Sequence, residues 1–355
     1  MILQHCQSAV TAFLNAGQPF TLEPVSGGLI NLTCKLTDLQ NSRSYILQQI
    51  NSHVFPEPEK IQANYVQLQI HLKKQQRPFF IPELQYFPNE QVLFKDPAGQ
   101  FWRLFRFIEN SRQLNGTEDP VLAAMVAETF ARFTAACNDL DSTELHVILP
   151  GFHDVNSRYE KFLAAIPEAP ATRLDKAAIL IGELKSRQRY AALYRHFTSS
   201  AEFRLRVMHH DAKIANVLFD DQSGQVICPV DMDTVMPGYF FSDLGDMIRS
   251  MAGTADEQCT ELEKLQIRPA IYKAITEGYT NGIGHLLTPE EKNYLHASGL
   301  LLIYMQSLRF MTDYLGNDQY YRINYPEHNF DRARNQLVLL SRLEEFLADN
   351  YKFTC

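Results

Sequence analysis

The chain has no Cys-x-x-Cys pair, no surplus of basic residues, no long apolar run, and no internal repeat or low-complexity tract. Its six cysteines (Cys6, Cys34, Cys137, Cys228, Cys259 and Cys355) are scattered, several within apolar runs. That argues against a disulfide scaffold and fits unpaired thiols in a reducing compartment. Lys and Arg number 33 against 41 Asp and Glu, a net charge of −8. No excess of cations is left to neutralise a nucleic-acid backbone, so a general nucleic-acid partner is not expected. No stretch approaches the roughly 20 apolar residues that span a bilayer, and no membrane partner is expected either. The N-terminal residues lack a basic n-region and an apolar h-region, while Val10, Phe13 and Leu14 fall at helical spacing. An amphipathic helix, rather than a signal peptide, is the reading there, and a cytoplasmic location follows as the expectation. Oligomeric state is left open.

What is present is an ordinary enzyme composition, 45% hydrophobic and 21% charged, over 355 residues, enough for a sizeable core and two lobes. From about Phe20 to Ile50 the pattern is short strands, with Leu32, Cys34 and Leu36 alternating with polar neighbours. Residues 57–75 carry Ile61, Tyr65, Leu68 and Leu72 at helical spacing, and strands are expected near Val92-Leu93-Phe94 and Phe101–Phe105. Beyond residue 118 the expectation is helical, over 119–137, 157–165, 173–197, 256–280, 289–315 and 328–350. A loop and hairpin at 205–235 interrupt it. The spacing therefore predicts an α+β chain, with a β-rich lobe over residues 1–109 and a mainly helical lobe over 110–355.

The densest chemistry lies between His209 and Asp246. His209-x-Asp211 opens it, Asn216 follows Asp211 by five residues, and Asp231, Asp233, Asp243 and Asp246 close it. Two apolar runs, Val217–Phe219 and Val226–Cys228, flank Asp221-Gln222-Ser223-Gly224 and read as a hairpin. Closing that hairpin is expected to bring Asn216 and Asp231 together beside Asp211. An amide oxygen and a carboxylate suit a hard cation such as Mg²⁺. Two other metal readings are open on the residues alone. Adjacent His209 and His210 suggest a transition metal, but no third histidine lies nearby. Asp231-x-Asp233 suggests a calcium loop, but Val235 stands at its fifth position and the loop glycine is missing.

His-x-Asp-x4-Asn, a hairpin and then a metal-binding Asp resemble the catalytic core of the protein-kinase-like superfamily. More narrowly, the chain resembles the aminoglycoside phosphotransferase family. Four runs are similar to those of N-acetylhexosamine 1-kinases: Asn216-Val-Leu-Phe-Asp220, Asp231-Met-Asp233-Thr-Val-Met-Pro-Gly238, Asp243-Leu-Gly-Asp246 and Arg309-Phe-Met-Thr-Asp-Tyr314. The resemblance implies a bilobal protein-kinase-like fold using ATP and Mg²⁺. It makes Asp211 the base, Asn216 and Asp231 the Mg²⁺ ligands, His209 a packing support and Asp243 a brace for the catalytic loop. Asp233 is either a further metal contact or a support. Ser26-Gly27-Gly28-Leu29-Ile30-Asn31 falls where a nucleotide-covering loop belongs, with Gly27, Gly28 and Asn31 as contacts. Arg106, Phe107 and Ile108 fall at the adenine hinge.

One departure stands out. Where relatives place a Lys or Arg on the second strand to grip phosphates, this chain has Gln48, and Asn64 stands roughly where its pairing Glu belongs. A neutral Gln48–Asn64 amide pair is the expectation, or a chain that has lost turnover. For the acceptor, His153, Asp154, Arg309 and Tyr320 are the candidate contacts, with Tyr321 as a further donor, suited to sugar hydroxyl and acetamido oxygens. The reading is phosphoryl transfer to the anomeric hydroxyl of an N-acetylhexosamine. A kinase for an aminoglycoside or amino alcohol, and a nucleotide-binding regulatory module, are the alternatives.

Overall fold

The computed structural model describes residues 2–14, 17–25, 30–75 and 78–355. Gly27 and Gly28 lie outside the described residues. In chain order the elements are α1 (Ile2–Phe13), β1 (Phe20–Pro24), β2 (Leu32–Asp38), β3 (Arg43–Ile50), α2 (Pro58–Lys74), β4 (Leu84–Gln85), β5 (Phe94–Lys95), β6 (Phe101–Arg106) and β7 (Ser111–Arg112). Then come α3 (Pro120–Ala136), α4 (Val155–Glu168), α5 (Ala171–Ser186), α6 (Arg189–Ser199), β8 (Arg206–Met208), β9 (Val217–Asp220), β10 (Val226–Pro229) and β11 (Met236–Gly238). The chain ends with α7 (Phe241–Met251), α8 (Pro269–Ile283), α9 (Pro289–Asn293), α10 (Ala297–Leu315) and α11 (His328–Tyr351). These form two compact units, and the first is discontinuous: residues 1–112, 139–149 and 218–236. The segments 139–149 and 218–236 thus fold with the N-terminal strands, so the units do not meet at a single cut after Glu109.

The first unit is built on an antiparallel sheet of order β1-β2-β3-β6-β4, with β5 also paired to β6. Alternation in β2 sends Cys34 and Leu36 into a core shared with Leu47, Trp102 and Leu104. Cys6, Ala9 and Val10 of the amphipathic α1 belong to that core, so the apolar stripe near the N-terminus is a packing face. Pro58 starts α2, at the position where its missing N–H costs nothing. A second small sheet runs β10-β9-β7. Its hairpin turns where Asp220 Oδ1 accepts from the Ser223 amide and hydroxyl and Gly224 adopts φ +67°. Val92 and Leu93 stay outside any strand; β5 is the two residues Phe94–Lys95.

The second unit is helical. Its central helix α10 is buried over almost its whole length, as expected of a helix apolar on every side. Three expected helices are shorter than the apolar periodicity suggests. The run 173–197 breaks at Arg187-Gln188, where the Arg187 side chain is drawn to Glu183, Ser341 and Glu344. In the run 256–280 the α-helix begins only at Pro269, after a single helical turn at Leu262–Lys264, and Arg268 before the proline stays out of the helical region. The run 289–315 is interrupted after Asn293, where a Thr288–Glu291 capping box sets the short α9. The α7 helix is missing from the periodicity reading because its acids Asp243 and Asp246 are themselves buried. Among the described residues, no helix is long and apolar enough to cross a membrane.

Candidate active site

In the second unit, β8 delivers the chain to His209 and Asp211. Arg206 on that strand is locked by a buried fork to Glu291, at 2.6 and 2.8 Å. Removing one partner of such a pair costs about 3–5 kcal/mol, so the entry to the loop is firmly held. The His209 ring is buried edge-on to Phe130. The Asp243 carboxylate accepts the His209 amide at 3.0 Å and the His210 amide at 2.7 Å. Asp243 reaches that place because α7 lies tight against α10: a Cβ built at Gly245 would sit 2.3 Å from the Ser298 carbonyl oxygen. His210 takes φ +67°, which leaves no room at Gly238, where a Cβ would lie 2.4 Å from the His210 ring.

Asp211 is half-buried, with Oδ2 receiving the Lys213 ammonium at 2.9 Å and the Asn216 amide nitrogen at 2.8 Å. Oδ1 is left as the oxygen through which a proton can be accepted. Burial alone would push this carboxyl up. Lys213 foremost, with His209 and Asn216, outweighs burial and holds it below the usual carboxylate range. Asn216 also donates to the Asp211 carbonyl at 2.9 Å, so its amide oxygen is the atom left for a cation.

The expected acceptor contacts gather in the same unit. The Ser242 hydroxyl lies between His153 Nδ1 at 2.5 Å and His210 Nδ1 at 2.6 Å. Burial first, then the charges of His210, Arg309, Arg249 and Arg158, hold His153 well below the usual imidazole range, so it is neutral at neutral pH. Asp154 caps α4, accepting from the Ser157 amide at 2.9 Å; its role in the fold is helix initiation. The Arg309 guanidinium lies 5.3 Å from the centre of the Phe152 ring, 5.9 Å from Tyr320 and 5.5 Å from Tyr321. Asp313 sets the tyrosines by accepting both their amides at 2.8 Å. Lys213 was not anticipated as a site residue.

In the first unit, Asp231 is exposed and left-handed (φ 62°, ψ 60°), and it opens a single helical turn over Met232–Thr234. Asp233 is buried: its Oδ1 lies 2.6 Å from Arg103 Nη1 as an ion pair, and Asn31 Nδ2 donates to Oδ2 at 2.7 Å. The expected Gln48–Asn64 pair does not form. Gln48 Oε1 instead accepts Nε and Nη2 of Arg103, at 3.1 and 3.0 Å, and its nitrogen donates to Thr33. Asn64 is spent on backbone, donating to the His146 and Val235 carbonyls and accepting from the His146 amide. A buried amide finds such partners because leaving them unmade is costly. Of the residues expected at the hinge, the Arg106 and Phe107 amides donate to the Glu83 and Ser44 carbonyls, and the Ile108 carbonyl accepts from the Ser111 hydroxyl. Lys35 lies 3.9 Å over the Phe107 ring.

Among the described residues, no three His, Cys, Asp or Glu side chains converge as a metal group. An amide oxygen such as that of Asn216 and a carboxylate such as that of the exposed Asp231 are each donors of the kind a hard cation takes. Asp243 supplies a pH test. Burial pushes its carboxyl up to about 7, with Asp246 and Asp211 adding to it against the two loop amides. A raised folded-state value means stability is full below pH ~4 and is lost as pH rises through 7, by a few kcal/mol at most. Urea melts from pH 5 to 8 should show that decline in the wild type and a flatter profile in Asp243→Asn. Parallel profiles would contradict it.

Residues 21–279 match the family model described as the phosphotransferase enzyme family. Similar solved structures include an aminoglycoside phosphotransferase from Alicyclobacillus acidocaldarius, 15% identical, with a TM-score of 0.63 over 97% of this chain and 94% of that one. A microcompartment-associated aminopropanol kinase is 15% identical, with a TM-score of 0.60 over 98% of both chains. A Plasmodium vivax ethanolamine kinase is 13% identical, with a TM-score of 0.55 over 91% of this chain and 83% of that one. At such identities the likeness speaks for the fold, which is the α+β protein-kinase-like one. The family match spans more than half of the chain, and this protein belongs to the phosphotransferase enzyme family as a small-molecule phosphotransferase.

Proposed function

We propose that the protein transfers the γ-phosphoryl group of ATP to the anomeric hydroxyl of an N-acetylhexosamine, giving a hexosamine 1-phosphate and ADP. The observation that carries this reading is Arg309. Phe152, Tyr320 and Tyr321 form the kind of aromatic set that binds a cationic ligand, but the guanidinium of the protein's own Arg309 already lies among them. Arg158 feels the charge of Arg309, after burial, strongly enough to be pulled below the usual guanidinium range. A second cation from an amine substrate would be repelled here, whereas hydroxyl and acetamido oxygens would find donors. The anomeric position is supported by the similarity of the Asp231–Gly238 and Arg309–Tyr314 runs to N-acetylhexosamine 1-kinases.

Asp211 would orient the acceptor hydroxyl and take its proton at Oδ1, work typically worth roughly 10²–10⁴ in rate. Lys213, resting on Oδ2, keeps that carboxylate ionised and is the cation next to the reacting groups. Asn216 and Asp231 would hold Mg²⁺, which when bound neutralises charge on the phosphate oxygens. His209 and Asp243 hold the loop.

A second reading, an amino-alcohol or aminoglycoside kinase, draws on the names of the structural neighbours. An ADP-release screen separates the two, with N-acetylglucosamine, N-acetylgalactosamine and galactose set against choline, ethanolamine, homoserine and kanamycin. Hexosamine-dependent release, with the amines at background, is the expected result. Faster release with any amine would sink the sugar reading, and background release throughout would favour a nucleotide-binding module.

A further inference from the structure

The missing cation at Gln48 has a counterpart one strand away. Arg103 on β6 stands in register opposite Gln48 on β3, and both Arg103 and Asp233 are almost wholly buried. A lone guanidinium in that position would be expensive, and so would a lone carboxylate. Here they neutralise each other. Gln48 orients the guanidinium from behind, Asn31 takes the other carboxylate oxygen, and the Asn31 side-chain oxygen accepts the Asn51 amide at 3.0 Å. A continuous chain of polar contacts thus runs Thr33–Gln48–Arg103–Asp233–Asn31–Asn51.

Its target is the turn that begins at Asp231. A non-glycine residue with φ 62° persists where its surroundings fix it. The Met232–Thr234 turn is gripped from two sides. Arg103 and Asn31 hold Asp233, and Asn64 on α2 donates to the Val235 carbonyl at 3.1 Å. The sheet and α2, which relatives tie to one another by an ion pair, here each grip the turn instead.

We propose that Arg103 and Asp233 are positioning residues, an ion pair that sets the backbone of the Asp231 turn and so the aim of the Asp231 carboxylate at the nucleotide-bound cation. The pair leaves no net charge for the phosphates and acts through Asp231 rather than on them. This rests on the phosphotransferase reading.

The test is cation binding, which needs no acceptor and no turnover. Calorimetry would follow ADP binding with and without Mg²⁺, and a Mn²⁺ titration of the ADP complex would report the cation directly. Asp233→Asn is expected to weaken the cation in the ternary complex by about 10- to 100-fold, with metal-free ADP binding little changed. Asn31→Ala, at the half-buried end of the chain of contacts, should move the cation affinity the same way by a smaller factor and serves if Asp233→Asn does not fold. Arg103→Lys, which keeps the charge and loses the fork to Gln48, should fall between the wild type and Asp233→Asn. Wild-type cation affinity in whichever of Asp233→Asn and Asn31→Ala folds would overturn the proposal while leaving the kinase reading intact. A wild-type protein that binds ADP no better with Mg²⁺ than without it would overturn both.

Discussion

Asp211→Asn should cut turnover by orders of magnitude while leaving ADP binding in place. The substitution keeps the size and planarity of the side chain, so the Asn216 contact to the Asp211 backbone carbonyl and the buried support from His209 can persist. What disappears is the basic oxygen. An amide oxygen does not accept a proton at neutral pH, and an amide cannot offset the Lys213 ammonium, which sits 2.9 Å from Oδ2 in the wild type. A loss of about 10²–10⁴ in kcat is the effect of removing a general base, with the larger figure favoured by the loss of two functions at once. Coupled ADP-release assays at saturating nucleotide measure the first quantity and calorimetry the second. Turnover within about tenfold of the wild type would mean that Asp211 is not the base.

The second large effect is expected at Arg309. Arg309→Glu exchanges a donor for an acceptor at the centre of Phe152, Tyr320 and Tyr321, and reverses the local charge beside Arg158. A hydrogen bond to a charged donor is worth about 1.5–3 kcal/mol, so kcat/KM for an N-acetylhexosamine should fall about 10- to 150-fold, mostly through KM. The same variant should gain on choline or ethanolamine, because an anion now faces a cation across aromatic walls. Loss of sugar activity alone fits removal of a contact. Unchanged sugar kinetics would show that Arg309 lies away from the acceptor and would remove the main support for a neutral substrate.

Those two residues illustrate what was legible in the sequence. The 209–246 run could be read because its chemistry is local: His209, Asp211, Asn216 and Asp243 lie within 35 residues, and the structure joins the four directly through the loop amides, the Asp211–Asn216 contact and the Asp243 brace. Asp233 stayed ambiguous because its partners, Asn31 and Arg103, come from far upstream in the chain. Arg103 was invisible for a related reason. It sits in the aromatic run Phe101–Phe105, where a charged residue reads as the solvent side of a strand, and only the register of β6 against β3 puts it opposite Gln48. The Gln48–Asn64 expectation failed because one strand and one helix were considered without the neighbouring strand. Lys213 did carry a signal, two residues after Asp211, which the acids around it masked. Helix ends were missed where tertiary partners won over periodicity, as at Arg187, or where buried acids disguised an inward face, as in α7.

The ion pair between Arg103 and Asp233 also has a consequence for how the chain is made. Roughly 130 residues separate the partners, so at about 5–20 residues per second the ribosome releases Arg103 some 6–26 s before Asp233. Throughout that interval the N-terminal sheet holds a guanidinium destined for burial with only the neutral Gln48 amide beside it. The ion pair can therefore form only once residues 218–236, which belong to the same compact unit, have been synthesised. Residues 1–112 expressed alone lack the carboxylate that neutralises Arg103 in the complete unit.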